Sequence, residues 1–245
     1  MHATIRKTFK IAIGVSLILA TALFGVSYIY SREAVFLFLN KDFGQAGDIA
    51  FNYITYLAEG WIWIPYFMLL FGWYKKDALF ILLNFLISTL LTQIPKNFIW
   101  NSVSRPMGSG ISQDQFHRVE GVDMHLWNSF PSGHTATAFT IFLVSVYLFP
   151  KKEVLFLGAI YAIACGYSRV YLAQHFPLDV AGGIMVAILT VILSIYISNK
   201  IKKSVQNTES GAKNSILSRL IKNYNSTNNN NEIAFSKSFV ILKLI

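Results

Sequence analysis

Long apolar blocks constrain the fold of this chain more than any other feature of its sequence. Six blocks approach the ~20 residues that a helix needs to cross a bilayer. They lie at residues 11–30, 53–74, 78–95, 134–150, 153–170 and 178–198. Within each block the apolar residues are continuous rather than alternating, which favours helices over a membrane β-barrel. The sequence therefore predicts an all-α fold: a polytopic membrane helix bundle with six transmembrane helices.

The charged residues give the predicted bundle an orientation. The chain has 245 residues and a net charge of +9, a value that would also suit a nucleic-acid-binding protein. If the N-terminus lies in the cytoplasm, however, the cytoplasmic segments hold 15 of the 21 Lys and Arg residues and only 4 of the 12 acids. Because basic residues concentrate on the cytoplasmic side of membrane proteins, we expect both termini in the cytoplasm and no nucleic-acid partner.

The composition of the chain changes after residue 203. Residues 1–203 contain all six apolar blocks and are predicted to form the membrane domain, with a long outer loop at residues 96–133. The later segment includes residues 223–231, which are nearly all Asn, Ser and Thr. Such a composition predicts that residues 204–245 form a disordered or surface-lying cytoplasmic tail. The first block could be a cleaved signal peptide, but its length favours an uncleaved helix.

A first short motif opens the fourth block with the residues Pro131-Ser132-Gly133-His134. Ser132 is a good helix N-cap, and the unpaired N–H groups of the first helical turn form an anion site. Gly133 allows a ligand to approach the backbone closely. Taken alone, the motif fits equally well with a capped helix start that carries a surface histidine.

A second motif joins the fifth and sixth blocks through Ser168-Arg169, His175 and Asp179. A carboxylate at Asp179 could accept a hydrogen bond from one ring nitrogen of His175 and raise the basicity of the other nitrogen. Arg169 offers a planar fork of donors that suits phosphate oxygens. The alternative is a structural Arg–Asp pair that ties two helix ends together.

All of these residues fall on the same, extracytoplasmic side of the predicted bundle. Lys96 and Arg105 lie on that side too, so three cations and two histidines are expected to meet there. Phosphoryl transfer requires mainly positioning and positive charge around the phosphate, which these side chains supply without a metal. His117 and His125 in the outer loop lack the spacing of metal ligands. Glu59, near the outer end of the second block, fits either a polar cavity or the membrane interface.

With these residues assembled, the chain resembles the type 2 phosphatidic acid phosphatase family of integral-membrane lipid phosphatases. The family pattern is Lys-x6-Arg-Pro, then Pro-Ser-Gly-His, then Ser-Arg-x5-His-x3-Asp, and the resemblance covers roughly residues 50–198. The second and third motifs match residue for residue. The first differs, because eight residues separate Lys96 from Arg105. Either two residues are inserted here or Lys96 is not the family's lysine.

The resemblance implies roles for the motif residues and a class of substrate. His175 is the expected nucleophile, Asp179 its orienting carboxylate and His134 the general acid. The expected phosphate-binding residues are Lys96, Arg105, Ser132, Gly133 and Arg169, with no metal and no cofactor. The implied substrates are undecaprenyl pyrophosphate, lipid A phosphate, phosphatidylglycerol phosphate and phosphatidic acid, the first two being favoured. The implied location is a bacterial plasma membrane, with the site facing the periplasm or exterior.

Other functions share some of these sequence features. Vanadium haloperoxidases and soluble acid phosphatases share the phosphate-site motifs, but the six apolar blocks argue against both. A transporter with an ion path would place charges at the bilayer midplane, whereas here they fall at helix ends. A catalytically silent lipid-binding relative is the other alternative, and measuring phosphate release separates it from an enzyme.

Overall fold

Helices make up the regular structure of this protein. The computed structural model describes residues 7–242, without the side chain of residue 73 and with few side chains beyond residue 208. That part of the chain contains no β-strand, so the all-α prediction is confirmed. Its α-helices are α1 (Lys7–Tyr30), α2 (Arg32–Leu39), α3 (Gly44–Tyr56), α4 (Trp63–Trp73), α5 (Ala78–Ile94), α6 (Gly133–Leu148), α7 (Lys152–Tyr171) and α8 (Pro177–Leu242).

Four of the six predicted membrane spans coincide with helices that are long and apolar enough to cross a bilayer. These segments are Lys7–Tyr30, Lys75–Ile99, Lys152–Tyr171 and Pro177–Thr208. Each has at least the roughly 20 residues that the hydrocarbon core requires. The chain is therefore an integral membrane protein with a helical membrane domain.

The second predicted span is interrupted rather than continuous. The segments Gly44–Tyr56 and Gly60–Gly72 are bent by 54° at the break between them. The sequence explains the interruption, because Gly60 disfavours a helix interior and Pro65 lacks an N–H group. Placing Pro65 in the first turn of α4 removes this cost, since N–H groups there have no partner within the helix. Counted as one, the bent pair brings the candidate spans to five.

The fourth predicted span is the short helix α6, which has 16 residues. Every residue from Thr135 to Val144 is buried, and the helix packs against α7, α5 and α1. A helix surrounded by other helices is not obliged to match the thickness of the bilayer by itself. The number of spans predicted from sequence, six, therefore stays a prediction.

The segment between α1 and α3 forms a helix, α2, that the sequence did not predict. Ser31 caps it, because its hydroxyl accepts a hydrogen bond from the N–H of Ala34 at 3.2 Å. Phe36 on this helix is fully buried and meets Phe116 and Phe176 edge to face, with ring centroids 5.5 and 5.6 Å away. These contacts tie α2 to the outer loop and to the turn before α8.

The outer loop between α5 and α6 is folded back on itself. It begins with a single π-helical turn at Pro95–Ile99 and is otherwise irregular except for a short helical turn at Pro106–Gly108. The N–H of Arg105 donates to the carbonyl of Leu126 at 2.8 Å, and the N–H of Ser129 donates to the carbonyl of Val103 at 3.1 Å. These bonds bring the two halves of the loop together beside the start of α6.

The chain divides into two compact units, the first ending at Tyr196 and the second beginning at Ile197. In the second unit the backbone of α8 is helical as far as Leu242. The predicted boundary at residue 203 and the predicted disordered or surface-lying tail at residues 204–245 stay predictions.

Candidate active site

Most of the residues selected from the sequence line a single cavity in the first unit. The cavity has a volume of about 450 Å³ and lies among the adjacent ends of α5, α6 and α7. Its wall includes Lys96, Arg105, Gly133, His134, Arg169 and His175. The fold therefore brings two histidines and three cations from separate segments of the chain to one place. Ser132 and Asp179 are buried behind this wall.

The start of α6 forms one side of the cavity. The Ser132 hydroxyl accepts hydrogen bonds from the N–H and the hydroxyl of Thr135, at 3.4 and 2.9 Å. Ser132 is thus the N-cap that its sequence predicts, and its own O–H remains available as a donor. Gly133 follows on the wall, where the N–H groups of the first turn have no partner within the helix. This is the arrangement that binds anions.

The helix α8 passes very close to the start of α6. A Cβ atom at Gly183 would lie 2.6 Å from the carbonyl oxygen of Ser132, which is too close for any side chain. The N–H of Ser132 also donates to the carbonyl of Asp179 at 3.0 Å. The two motifs are thereby joined through their backbones. This close approach was not predicted from the sequence, although a small residue in an apolar helix is a known signal of close packing.

His175 is held by a buried set of polar groups. Its Nδ1 atom lies 3.5 Å from both Asp179 Oδ2 and the Ser129 hydroxyl. That carboxylate oxygen also accepts hydrogen bonds from the Ser129 hydroxyl and, at 2.8 Å, from the N–H of Phe176. With Nδ1 directed at the carboxylate, Nε2 is the ring nitrogen left for a reaction in the cavity.

Burial lowers the pKa of His175 well below its usual value, and the nearby charges of Arg105, Lys96 and Arg169 lower it further. His175 is 1% exposed, so water does little to stabilise an imidazolium there. The ring is therefore neutral at physiological pH. A neutral imidazole with a fixed tautomer carries the lone pair that a nucleophile requires.

Arg105 reaches the cavity from the outer loop. Its Nε atom donates to the carbonyl of Trp127 at 3.0 Å, and its Nη1 atom donates to the carbonyl and side-chain oxygens of Gln174 at 3.1 and 3.3 Å. Burial lowers the pKa of Arg105, while the charge of Asp179 acts in the opposite direction. Because arginine keeps its proton even when it is buried in a protein, the side chain remains a cation.

The other two cations come from helix ends. Arg169, in the last turn of α7, is 7% exposed and donates from Nη1 to the Thr55 hydroxyl, while its buried Nε has no partner. Lys96 lies in the π-helical turn after α5 and also faces the cavity. The longer spacing between Lys96 and Arg105 therefore does not remove this lysine from the cavity.

His134 stands in less complete surroundings than His175. Its Nε2 atom is buried without a hydrogen-bond partner, and the Glu59 carboxylate lies 4.0 Å away. The other oxygen of Glu59 accepts a hydrogen bond from the Trp61 indole at 3.1 Å. Glu59 belongs to the break between α3 and α4. Its two neighbours in sequence, Ala58 and Gly60, line the cavity.

Three residues that hold the site were missed by the sequence analysis. Thr55 binds Arg169, Ser129 binds Asp179, and Gln174 binds Arg105. Ser129 and Gln174 are close in sequence to the two motifs, which is a weak signal. Thr55 lies far from Arg169 along the chain, and nothing in its sequence context indicates this contact.

The donor atoms of the cavity suit an anion rather than a metal ion. As the structure describes it, the cavity wall carries a lysine, two arginines and three histidines, one of them His125, but no carboxylate. Asp42, Asp48 and His117 form a group elsewhere that could hold a metal ion. Those side chains already pair with one another, since His117 Nε2 lies 2.7 Å from Asp48 and Nδ1 lies 3.7 Å from Asp42.

Comparison with protein families gives a match that includes most of this site, without the residues that α3, the following break and α4 contribute. The family model described as the PAP2 superfamily matches residues 77–203, which is just over half of the chain. The matched range begins in front of α5 and ends in α8. It contains all eight residues to which the sequence motifs gave a role.

Several curated proteins are similar in sequence. The bacitracin transport permease protein BcrC of Bacillus licheniformis is 35% identical over 80 residues, 33% of this chain and 38% of that protein. An undecaprenyl-diphosphatase of Sulfolobus acidocaldarius is 28% identical over 149 residues, 60% of this chain and 68% of that protein. A lipid A 1-phosphatase of Rhizobium etli is 40% identical over 58 residues, 24% of each chain. The first and third matches therefore span well under two thirds of those relatives.

Two solved structures share the fold. LpxE of Aquifex aeolicus superposes with a TM-score of 0.57 and 30% identity, covering 66% of this chain and 92% of that chain. A transmembrane PAP2 type phosphatidylglycerolphosphate phosphatase of Bacillus subtilis gives a TM-score of 0.56 and 27% identity, covering 80% and 98%. Both similarities extend well beyond the two motifs.

Proposed function

Because the chain belongs to the PAP2 superfamily, we propose that it is a membrane lipid phosphatase that works through a phosphohistidine intermediate and without a metal. One observation carries this proposal: His134, His175 and three cations line one cavity whose donor atoms suit a phosphate group. The expected anchors of that phosphate are Lys96, Arg105 and Arg169 with Ser132 and the N–H of Gly133.

The first step of the proposed reaction transfers the phosphoryl group to the enzyme. The lone pair on His175 Nε2 attacks phosphorus. Asp179 meanwhile accepts a hydrogen bond from Nδ1–H and stabilises the positive charge that forms on the ring. The bond between phosphorus and the lipid oxygen breaks, and its electron pair goes to that oxygen. His134, in its protonated form, gives the oxygen a proton, and the lipid leaves as an alcohol or as a lipid monophosphate.

The second step regenerates the enzyme. His134, now neutral, takes a proton from a water molecule as the water oxygen attacks phosphorus. The bond between phosphorus and His175 breaks, and its electron pair returns to Nε2. Inorganic phosphate is released and His134 is protonated again, so both histidines end in the form in which they began.

A lipid substrate is supported by what lies next to the cavity. A groove of about 340 Å³ between α4 and α5 shares Gly60, Trp63 and Phe85 with the cavity wall. The rest of the groove is lined by Ile64, Phe67, Met68, Ile81 and Leu82. A phosphate in the cavity and a hydrocarbon chain in this groove would belong to one amphiphilic molecule.

The favoured substrates are undecaprenyl pyrophosphate and lipid A phosphate, followed by phosphatidylglycerol phosphate and phosphatidic acid. The names of the similar proteins support the first three of these. We further propose a bacterial plasma membrane location, six spans that include α3–α4 as the second and α6 as the fourth, and cytoplasmic termini. The bias of basic residues supports this orientation, which puts the cavity on the periplasmic or outer side.

A direct assay tests the proposed function. Purified full-length protein in detergent is incubated with short-chain phosphatidic acid, with and without a chelator, and inorganic phosphate is measured. We expect turnover in both conditions, loss of turnover in His175→Ala, and no change in His2→Ala, the control at a histidine without an assigned role. Full activity in a folded His175→Ala protein would refute the mechanism.

The same assay separates the enzyme from the two alternatives. A transporter or a silent lipid-binding protein would release no phosphate from any of the four lipids named above. The name of the BcrC relative would suit a transporter. Comparing the rates of phosphate release from the four candidate lipids at equal surface concentration then ranks the substrates. Phosphate release that requires added metal would contradict the metal-independent mechanism.

A further inference from the structure

The environment of His134 contains an unexplained feature. Its Nε2 atom is buried and has no hydrogen-bond partner, although an unpaired buried polar atom is costly. The only acidic group paired with it in the part of the chain that the structure describes is Glu59, at 4.0 Å. That distance is slightly too long for a hydrogen bond, and catalytic hydrogen bonds often tighten only when substrate binds.

Glu59 is held in a defined position. The indole N–H of Trp61 donates to Oε2 of Glu59 at 3.1 Å, while Oε1 is the atom that faces His134. Its neighbour Ala58 is 1% exposed and lines the cavity, as does Gly60. The break between α3 and α4 therefore carries the carboxylate to the edge of the cavity.

The charges that face the cavity make this carboxylate distinctive. Arg169 comes from α7, Lys96 from the π-helical turn after α5, and Arg105 from the outer loop, while His175 is neutral. Asp179 is committed to His175 on the other side. An imidazolium at His134 would thus form among three positive charges, and Glu59 is the negative group placed beside it.

We propose that Glu59 is a positioning residue that stabilises the protonated form of His134 in both steps of the reaction; this inference rests on the proposed phosphatase function. Before the first step, the carboxylate pairs with the imidazolium that is about to give its proton to the leaving oxygen. In the second step, the same carboxylate stabilises the imidazolium that forms when His134 takes a proton from the attacking water.

Glu59 and Thr55 lie before residue 77, where the match to the family model begins. Thr55 holds Arg169 and Glu59 faces His134, so α3 and the break after it supply partners to two motif residues. Both histidines of the mechanism then have a carboxylate, but the two carboxylates come from different parts of the chain. This pairing could not be inferred from the motifs themselves.

The test is the pH dependence of the rate of the first step, phosphoryl transfer to the enzyme, measured in a single turnover of a lipid monophosphate. In the wild type, activity should fall on the alkaline side as His134 loses its proton, and His134→Ala should lack this limb. An opposite charge at this distance commonly shifts a titration by 1–3 pH units. We expect Glu59→Gln to move the alkaline midpoint to lower pH by about one unit and to lower the first-step rate about tenfold above it.

Two further variants and a second substrate make the result specific. Glu59→Asp keeps the charge and should recover part of the wild-type midpoint, while Glu153→Gln makes the same chemical change at an exposed residue at the far end of α7 and should have no effect. A nitrophenyl phosphate ester has a leaving group, nitrophenolate, that departs without needing a proton. For that ester, transfer of the phosphoryl group to the enzyme should be much less sensitive to Glu59→Gln.

The outcomes are distinguishable. If folded Glu59→Gln keeps both the wild-type midpoint and the wild-type dependence on leaving group, the role of Glu59 is refuted. If Glu59→Gln does not fold, Trp61→Phe removes the hydrogen bond that holds the carboxylate, and an unchanged midpoint there refutes the proposal. If the wild type releases no phosphate from any lipid, the proposed function itself fails.

Discussion

His175 and His134 line the same cavity, but the protein satisfies their polar atoms to very different degrees. The Nδ1 atom of His175 faces Asp179 and Ser129, and that carboxylate is itself fixed by the backbone of Phe176. His134 has a buried Nε2 atom without a partner and a carboxylate at 4.0 Å. The comparison indicates that His175, the proposed nucleophile, is organised before substrate binds, whereas His134, the proposed general acid, would be completed by the substrate.

The difference follows from what each group must do. A nucleophile benefits from one fixed tautomer and orientation throughout the reaction, so a closed set of hydrogen bonds serves it well. A general acid must exchange a proton with the leaving group and then with water, so at least one of its atoms has to remain unpaired. The two sides of the cavity should therefore respond differently to substitution.

The largest effect is expected at His175 and Asp179, which we call the closed side of the cavity. In Asp179→Asn the amide can donate to His175 Nδ1 and hold the proton on Nε2, which removes the nucleophilic lone pair. By analogy with other oriented histidines, kcat should fall on the order of 10³–10⁴-fold. The measurement is steady-state kinetics on a short-chain lipid phosphate, with thermal unfolding to confirm that the variant is folded. Wild-type kcat in a folded Asp179→Asn protein would show that the carboxylate does not orient the nucleophile.

A smaller loss of activity is expected at His134, which we call the open side of the cavity, and its size should depend on the substrate. His134→Ala removes the proton donor and should lower kcat for a lipid alkoxide by about 10²–10⁴-fold. For a nitrophenyl ester the loss in the first step should be much smaller, because that leaving group needs no proton. His125→Ala is a matched control, since His125 lines the same cavity but lies outside the motifs. Equal losses of the first-step rate on both substrates, measured in a single turnover, would contradict a general-acid role.

The closed and open sides also differ in how far the sequence predicted them. The motif histidines, their cations and Asp179 were expected on one side of the bundle because hydrophobic blocks fix which helix ends share a side. Local patterns also predicted the Ser132 cap. The partners Ser129, Gln174 and Thr55 were not predictable in this way, because each makes its contact through tertiary folding. The side-chain contacts they make join residues that are 46–114 positions apart.

The helices themselves show the same limit. The apolar blocks predicted where most helices lie, since hydrophobic length is a property of a single segment. Gly60 and Pro65 are sufficient to predict the break between α3 and α4, but not the position that the break gives to Glu59. Only the packed structure puts Glu59 beside His134. Likewise, Lys96 reaches the cavity from a π-helical turn, which the eight-residue spacing to Arg105 did not reveal.

A moderate effect is expected from a residue that supports a phosphate-binding cation. Thr55→Val keeps the shape of the side chain but removes the hydroxyl that accepts from Arg169. A hydrogen bond to a charged group is worth roughly 1.5–3 kcal/mol, so kcat/KM should fall by about tenfold or more. Thr89→Val is the control, because Thr89 also lines the cavity but bonds the carbonyl of Phe85 in its own helix. Equal kcat/KM values in the two variants would show that Thr55 does not position Arg169.

The smallest effect concerns stability and is expected at His175. The pKa of His175 is lowered well below its usual value by burial and by nearby cations, whereas in the unfolded chain it is about 6.5. Below pH 6.5 the unfolded state therefore binds more protons than the folded state, and stability falls as the pH decreases. The loss from this one group is at most about 1.4 kcal/mol per pH unit and vanishes well above pH 6.5.

His175→Asn tests this linkage, because asparagine can still donate to Asp179 but does not titrate. Thermal unfolding in detergent at pH 7.5 and pH 5.5 should show a smaller drop in Tm for the variant than for the wild type. Between pH 7.5 and pH 8.5 the two proteins should change by the same amount, since His175 is neutral in both the folded and the unfolded chain there. Equal drops between pH 7.5 and 5.5 would mean that His175 can take up a proton in the folded protein, which would contradict its lowered pKa.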